Sequence, residues 1–527
     1  MPLLRKEYHS YIYVLALLGL AVSVTLSLYV MSIAQFVLLA NWLAEGSLGE
    51  KFRKFFRNKP ALFFTGIYLL HLIGLCCTHD LANALDELRI KLPLLVLPLI
   101  ISTSPPLSRK TFHLILLFHV AGTLISGGIS YYLFQTRNVA DMRDIFIFIS
   151  HIRYSLNVCA DIFILLYFIF NKNGFAIWVK ILFALLVGWF VYFLLFMESF
   201  TGMTILIITS AVILISFIIK KTRPLYKISF LIFLLAALSG VFLYVQSIYK
   251  DFKNIEPINP EKLELYTSHG NPYVHDIHNH MTDNGNYTWM YVCDPELEEA
   301  WNKRSKINYD STDLAKSPVR FTLIRFLTSK GLKKDMDGVN SLSNEEVALI
   351  ENGIANIDYT KKGSFENRLK NAFWEYENYK ITRDPRGQSM MQRVELWKAS
   401  LDLMKNHFWF GLGTGDVKKV FAAELVLEDS LLKDTGLRPH NQYLTFMLEF
   451  GIFGFLFFMF CLFYPAIKQR KISDFLFLSF FVIALISMIT EDTLETQAGV
   501  TFFAYFSCLY LFIFKNFKSE NKTVILK

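Results

Sequence analysis

The sequence predicts an all-α polytopic membrane protein, with about twelve transmembrane helices and one large, mainly helical extracytoplasmic loop domain. Three observations predict it. Of the 527 residues, 53% are hydrophobic and 50 are Phe, and mean hydropathy is +0.37, above that of a water-soluble domain. Apolar runs of near-bilayer length recur towards both ends of the chain. These runs are continuous rather than alternating, which argues against a β-barrel.

The spans fall near 11–24, 28–43, 60–77, 92–102, 111–134, 155–171, 175–197, 201–219, 226–246, 442–464, 473–489 and 498–515. The pair at 11–43 carries no charge until Glu45, and the short run at 92–102 is kinked by Pro93 and Pro98. Arg5 and Lys6 precede the first apolar run without a small-residue cleavage site after it, so it reads as a span and not a signal peptide. With a cytoplasmic N-terminus, the basic segments 51–59, 108–110, 220–227, 468–471 and the tail from Lys515 share the cytoplasmic side. The acidic segments 78–88 and T-E-D-T-L-E-T-Q (490–497) fall on the other side. This asymmetry largely accounts for the formal net charge of +8, which gives no reason to invoke nucleic acid.

The resulting organisation is an N-terminal membrane domain (1–246, about nine helices), a large outer loop domain (247–441), and a C-terminal membrane domain with a cytoplasmic tail (442–527, about three helices). In the loop domain Y-T-W-M-Y-V (287–292) reads as a strand. D-P-E-L-E-E-A-W reads as a helix start, with Asp294 as N-cap and Pro295 at the first helical position. A helix over 318–331 ends at Gly331, and another runs from a Ser343 cap to Asn352. Of six cysteines only Cys293 lies in this domain, so it holds no internal disulfide. The histidines His269, His275, His278 and His280 fit no zinc spacing and read as a surface loop.

Two places in the first half carry candidate chemistry. Asp161 lies inside an apolar span, where an acid is either functional or a helix-packing residue. The approach to that span, M-R-D-I-F-I-F-I-S-H-I-R-Y-S, mixes apolar and polar residues as an interfacial segment does. Its Arg143, His151 and Arg153 would face lipid head groups, and Arg153 reads equally as a snorkelling anchor or as a ligand for a lipid-linked phosphate.

The stretch from Arg393 to Gly454 is the centre of the chain. A helical segment from Gln388 to Asn406 sets Arg393 and Trp397 four residues apart, with Val394, Trp397, Leu401 and Met404 forming one face. F-G-L-G-T-G-D (410–416) follows a helix rather than a strand and lacks dinucleotide-loop spacing, so it reads as a glycine turn for close backbone packing. His440 and Asn441 then sit at the start of a span, with Gly451 and Gly454 about three turns further in as small residues for helix packing. His-Asn-x9-Gly-x2-Gly, preceded by R-x-x-x-W and G-x-G-x-G, resembles the signature of the O-antigen ligase and O-antigen polymerase family of bacterial membrane glycosyltransferases.

That resemblance implies a GT-C-like architecture in the bacterial inner membrane, with both termini cytoplasmic and the large loop periplasmic. It implies transfer of a glycan from undecaprenyl diphosphate to a lipid A-core or other glycan acceptor, with membrane lipids as surroundings and no cofactor. His440 is then the general base, since imidazole titrates near neutral pH. Arg393 binds the leaving diphosphate, because guanidinium stays charged and grips phosphate with a two-pronged fork. Trp397, Asn441, Arg153 and Arg143 are the further substrate-binding candidates, Asn441 either orienting the imidazole or meeting a sugar. Where the family often has Ser-Arg, this chain has Ser199-Phe200, and Arg153 is the expected substitute. No D-x-D stands in a nucleotide-sugar context in the outer loops, so the sequence asks for no metal. A repeat-unit polymerase, a transporter and a non-catalytic glycan-binding scaffold are the rival readings. The transporter is disfavoured by the lack of internal repeats and of several mid-membrane charges.

Overall fold

The computed structural model describes residues 5–137, 142–171, 174–197, 199–221, 224–253, 255, 257–360, 365–386, 388–428, 430–433 and 436–513. It divides into two compact units, Met1–Arg137 with Ile145–Lys221 and Arg393–Lys527, and Asn138–Asp144 with Thr222–Gln392.

The first unit opens with α1 (Lys6–Leu26), α2 (Leu28–Ala44), α3 (Leu48–Arg57), α4 (Lys59–Gly74), α5 (Leu81–Lys91) and α6 (Pro93–Thr103). It continues with α7 (Arg109–Thr136), α8 (His151–Phe170), α9 (Ile177–Phe196) and α10 (Phe200–Lys221). The second unit holds α11 (Pro224–Lys253), α12 (Asp294–Arg304), α13 (Val319–Ser329), α14 (Met336–Asn340), α15 (Asn344–Glu351) and α16 (Phe365–Thr382). The chain re-enters the first unit along α17 (Ser389–His407), then α18 (Val417–Leu427), α19 (Gln442–Lys468), α20 (Phe475–Thr490) and α21 (Gln497–Phe512).

Among the described residues seven helices are long and apolar enough to cross a membrane: α1, α4 with the turn after it, α7, α8, α9, α10 and α19. The bent pair α2 and α3, turned by 113°, would make an eighth. The remaining expected spans are shorter or partly described. The run at 92–102 forms the 11-residue α6 with Pro98 inside it, and the last two runs form 16-residue helices, α20 and α21. The tail from Lys515 lies outside the described residues.

Local departures from expectation have physical causes. Segment 78–88 is no loop: Asp80 caps α5 by accepting from the Asn83 N–H, and the helix carries Glu87 and Lys91 on its buried face. The Y-T-W-M-Y-V strand is not formed. Asn286–Tyr287 (β2) pairs with Thr282–Asp283 (β1) across the Asn284-Gly285 turn, a hairpin two residues long, and Val292 makes only isolated bridges, to Val274 and Lys334. Asp294 is inside α12 rather than its cap, and its carboxylate instead takes both prongs of Arg320 (2.7 and 2.8 Å). The Ser343–Glu346 capping box and the Gly331 turn after α13 form as expected.

Candidate functional site

Two glycine-bearing segments build the scaffold. α19 breaks at Gly451, where φ is +62° and a Cβ would overlap the backbone of Trp409 and Phe410. The break frees the carbonyls of Leu448 and Glu449, which accept from Leu412 N (2.8 Å) and Gly413 N (2.8 Å), while Ile452 N donates to Phe408 O (2.7 Å). Gly451 is therefore a backbone junction with the 410–416 loop and not the helix-packing residue expected. Gly454 does pack on another helix, against Leu70 of α4. The far end of the same loop grips the link into α5: Asp416 accepts from His79 N and Asp80 N, both at 2.8 Å, and Asn83 donates to Gly415 O (2.6 Å). Those amides and the His79 ring hold the Asp416 carboxyl below its usual range against the upward push of burial.

α17 lies over the first turns of α19, but on a different face from that expected. Leu396, Ala399, Leu403 and Met404 are buried with Leu412, Phe421 and Leu448, whereas Val394 and Leu401 are exposed.

The site lies where the segment between α20 and α21 meets the starts of α8 and α19. Asp492 organises it. Its carboxylate accepts from His440 N (3.0 Å), Asn441 N (3.1 Å) and the Thr445 hydroxyl (2.8 Å). This grip holds His440 in the left-handed region, at φ +52°, a conformation that costs a non-glycine residue energy and needs such support. Asn441 does not orient the imidazole. Its side-chain oxygen caps α19, accepting from Tyr443 N and Leu444 N.

Glu491 is the hub of the charged groups. One oxygen accepts from Arg393 at 3.1 Å and the other lies 3.6 Å from His440 Nδ1. His440 is a third exposed and Arg393 about a quarter, so both remain reachable from outside. Glu491 raises the imidazole pKa above its usual 6.5, against desolvation. Burial pushes the Glu491 carboxyl up, but His440, Arg393 and Arg153 together hold it below its usual range.

The other expected residues support this centre. Trp397 donates its indole N–H to Pro439 O (3.0 Å), pinning the residue before His440. Arg153 donates to the carbonyls of Asp492 (3.1 Å) and Thr493 (3.2 Å), so it fastens the loop that carries Glu491. The Arg143 side chain lies outside the described residues.

Beneath lies a network that the sequence reading missed. Glu495 accepts from Lys91 (2.7 Å), Arg438 (2.8 Å) and Gln442 (2.8 Å), and Glu87 accepts from Lys91 (2.6 Å) and Arg438 (2.6 Å). Lys91 is wholly buried, and the carboxylates around it, Glu495 foremost, raise its pKa in spite of burial. The four charges close into a ring that fixes Arg438 two residues before His440. The Glu87–Lys91 spacing of four was the available signal; the partners 350 or more residues away were not legible.

A helical membrane protein with a cation- and imidazole-bearing site at the ends of its helices is thus defined. The family model described as O-antigen ligase, Wzy_C, matches residues 339–459. The similarity to that family is carried by this segment, which contains Arg393, Trp397, His440, Asn441, Gly451 and Gly454 but not Arg153 or Glu491. No curated protein matches the chain.

Proposed function

We propose that the protein is an O-antigen ligase-like glycosyltransferase. It moves a glycan from an undecaprenyl diphosphate carrier to a lipid A-core or other acceptor at the periplasmic face of the inner membrane, with the large loop periplasmic and both termini cytoplasmic. The observation that carries this reading is the pairing of Arg393 and His440 on one carboxylate, Glu491, at a partly exposed position. In the reaction an acceptor hydroxyl attacks the anomeric carbon as the bond from that carbon to the diphosphate oxygen breaks. The hydroxyl proton goes to His440, whose Nε2 is turned away from Glu491 as Nδ1 faces it. The negative charge growing on the departing diphosphate is met by the Arg393 guanidinium. A single displacement of this kind inverts the anomeric centre. Glu491 supports the imidazolium that forms, and Asp492, Trp397 and Arg153 hold the base and its partner in place.

Complementation of a deletion strain tests the reading, using wild type and His440→Ala at matched membrane levels. Surface glycan and lipid-linked precursor are followed together. Loss of surface glycan with long lipid-linked chains accumulating supports a ligase with His440 as base. Accumulation of single repeat units would reassign the chain as a polymerase, and unchanged glycan would remove His440 from the chemistry.

A further inference from the structure

The second unit contains a cavity of about 300 Å³ that the proposed chemistry does not use. We propose that it binds a sugar residue of a neutral or amino-bearing saccharide. The ligand class rests on the glycosyltransferase reading; the site itself rests on its lining.

One wall is the β1–β2 hairpin tip. Asn284 (φ +50°) and Gly285 (φ +83°) make its two-residue turn, and a Cβ on Gly285 would meet only open space. The floor is Asp283, 3% exposed, whose carboxylate takes both prongs of Arg325 (2.9 and 3.0 Å) and the Asn356 amide (3.0 Å). The Asn284 and Asn356 amides bond each other at 3.3 Å, and Asn284 also donates to Ser329 O (3.0 Å). These planar groups are fixed before any ligand arrives, which lowers the ordering cost of binding.

The aromatic component is Trp374. The Arg325 guanidinium lies 3.5 Å from the centre of its ring, fixing the plane. Its indole N–H is buried and has no hydrogen-bond partner among the described residues. That N–H is turned away from the cavity, so the residue contributes ring surface to the lining rather than a donor. A rigid aromatic beside immobilised amides and carboxylates suits a sugar ring, which offers an apolar C–H face and a rim of hydroxyls.

Charge narrows the class. Asp283 is neutralised by Arg325, and the cavity's Lys370 is paired with Glu366 at 2.7 Å. The lining adds the exposed Asp251 carboxylate, so a uronate or phosphate-bearing sugar would be repelled.

The test uses the purified full-length protein in detergent. Maltotriose, chitotriose, deacetylated chitotriose and trigalacturonate are titrated by calorimetry. At least one of the first three is expected to bind, and trigalacturonate is not. Trp374→Leu removes the aromatic ring from the lining, and should weaken binding by about tenfold. Asp251→Arg, at an exposed rim position, should abolish it without changing thermal unfolding. Binding by none of the neutral or amino trisaccharides, preferred binding of trigalacturonate, or equal binding by both variants would overturn the proposal. His440→Ala should bind the saccharide as wild type does. Its loss of transfer tests the catalytic reading separately, so the two failures are distinguishable.

Discussion

Two histidine–glutamate pairs hang from α19, and they differ in everything but distance. His440 lies 3.6 Å from Glu491 just before the helix begins, and His71 of α4 lies 3.6 Å from Glu449 two turns inside it. His440 is a third exposed, and its glutamate is shared with Arg393. His71 is wholly buried, donates Nδ1–H to Ile67 O (2.8 Å), and is edged by the rings of Phe446 and Phe450. With that tautomer fixed, Nε2 faces Glu449 as an acceptor, so the pair is satisfied only when a proton sits between them. An imidazole beside a carboxylate is therefore not enough to mark a base. Exposure and a neighbouring cation, Arg393, are what separate the first pair from the second.

The largest expected effect follows from this difference. His440→Ala should lower transfer by about 10²–10⁴-fold, the usual contribution of a positioned base, with membrane abundance unchanged. His71→Ala should instead lower abundance and thermal stability while the surviving protein keeps its specific activity. Measured specific activity per folded molecule decides the matter: a well-folded His71→Ala protein without transfer would erase the distinction.

Next comes the ring beneath the site. Lys91→Met removes the buried cation that Glu87 and Glu495 share, leaving carboxylates short of compensation at a cost of about 3–5 kcal/mol. Poor recovery of the variant, read by size-exclusion profile and melting temperature, is the expected result. Restoration by Lys91→Arg would show that the charge rather than the packed volume matters.

Much of the first pair was legible and most of its surroundings were not. Arg393, Trp397 and His440 lie in one stretch whose spacing carried the family resemblance, and the three do converge. Gly451 was legible as important but misread, since a small residue inside an apolar run looks like helix packing. Only its partner segment, Phe408–Gly413, reveals a helix break. The acidic segment 490–497 was read as topology because loop charges usually report only sidedness, yet Glu491, Asp492 and Glu495 organise the site. Local pattern fixes helices and their ends, whereas pairing between residues 50 to 400 positions apart depends on how those ends meet. The same limit explains the missing strand, where an aromatic run is placed by isolated bridges at Val292 and by contacts such as Arg320 over Trp289 rather than by a continuous ladder.

The backbone junction gives a smaller effect. Gly451→Ala puts a Cβ into the backbone of Trp409 and Phe410 at a left-handed position, costing at least about 1–3 kcal/mol. Because the junction orients α17 through the 410–416 loop, the loss should appear first as a raised KM for the lipid-linked donor. A lowered melting temperature with unaltered KM would confine the junction to stability.

The smallest effect isolates the role of Glu491. His440 has a folded pKa raised above 6.5, so its protonated form stabilises the fold fully below that value and the contribution fades as pH rises through the folded pKa. Transfer runs in the opposite sense, because only the unprotonated ring accepts a proton: the rate should fall as pH drops through the same folded value. Glu491→Gln removes the negative charge that favours the imidazolium. The acid limb of the pH–rate profile should then move to lower pH, and the maximal rate should fall modestly because the imidazolium formed in the reaction loses its partner. Arg393 also loses its resting carboxylate, so donor affinity should rise rather than fall. An acid limb that stays in place would mean that Glu491 orients Arg393 alone and leaves the titration of His440 untouched.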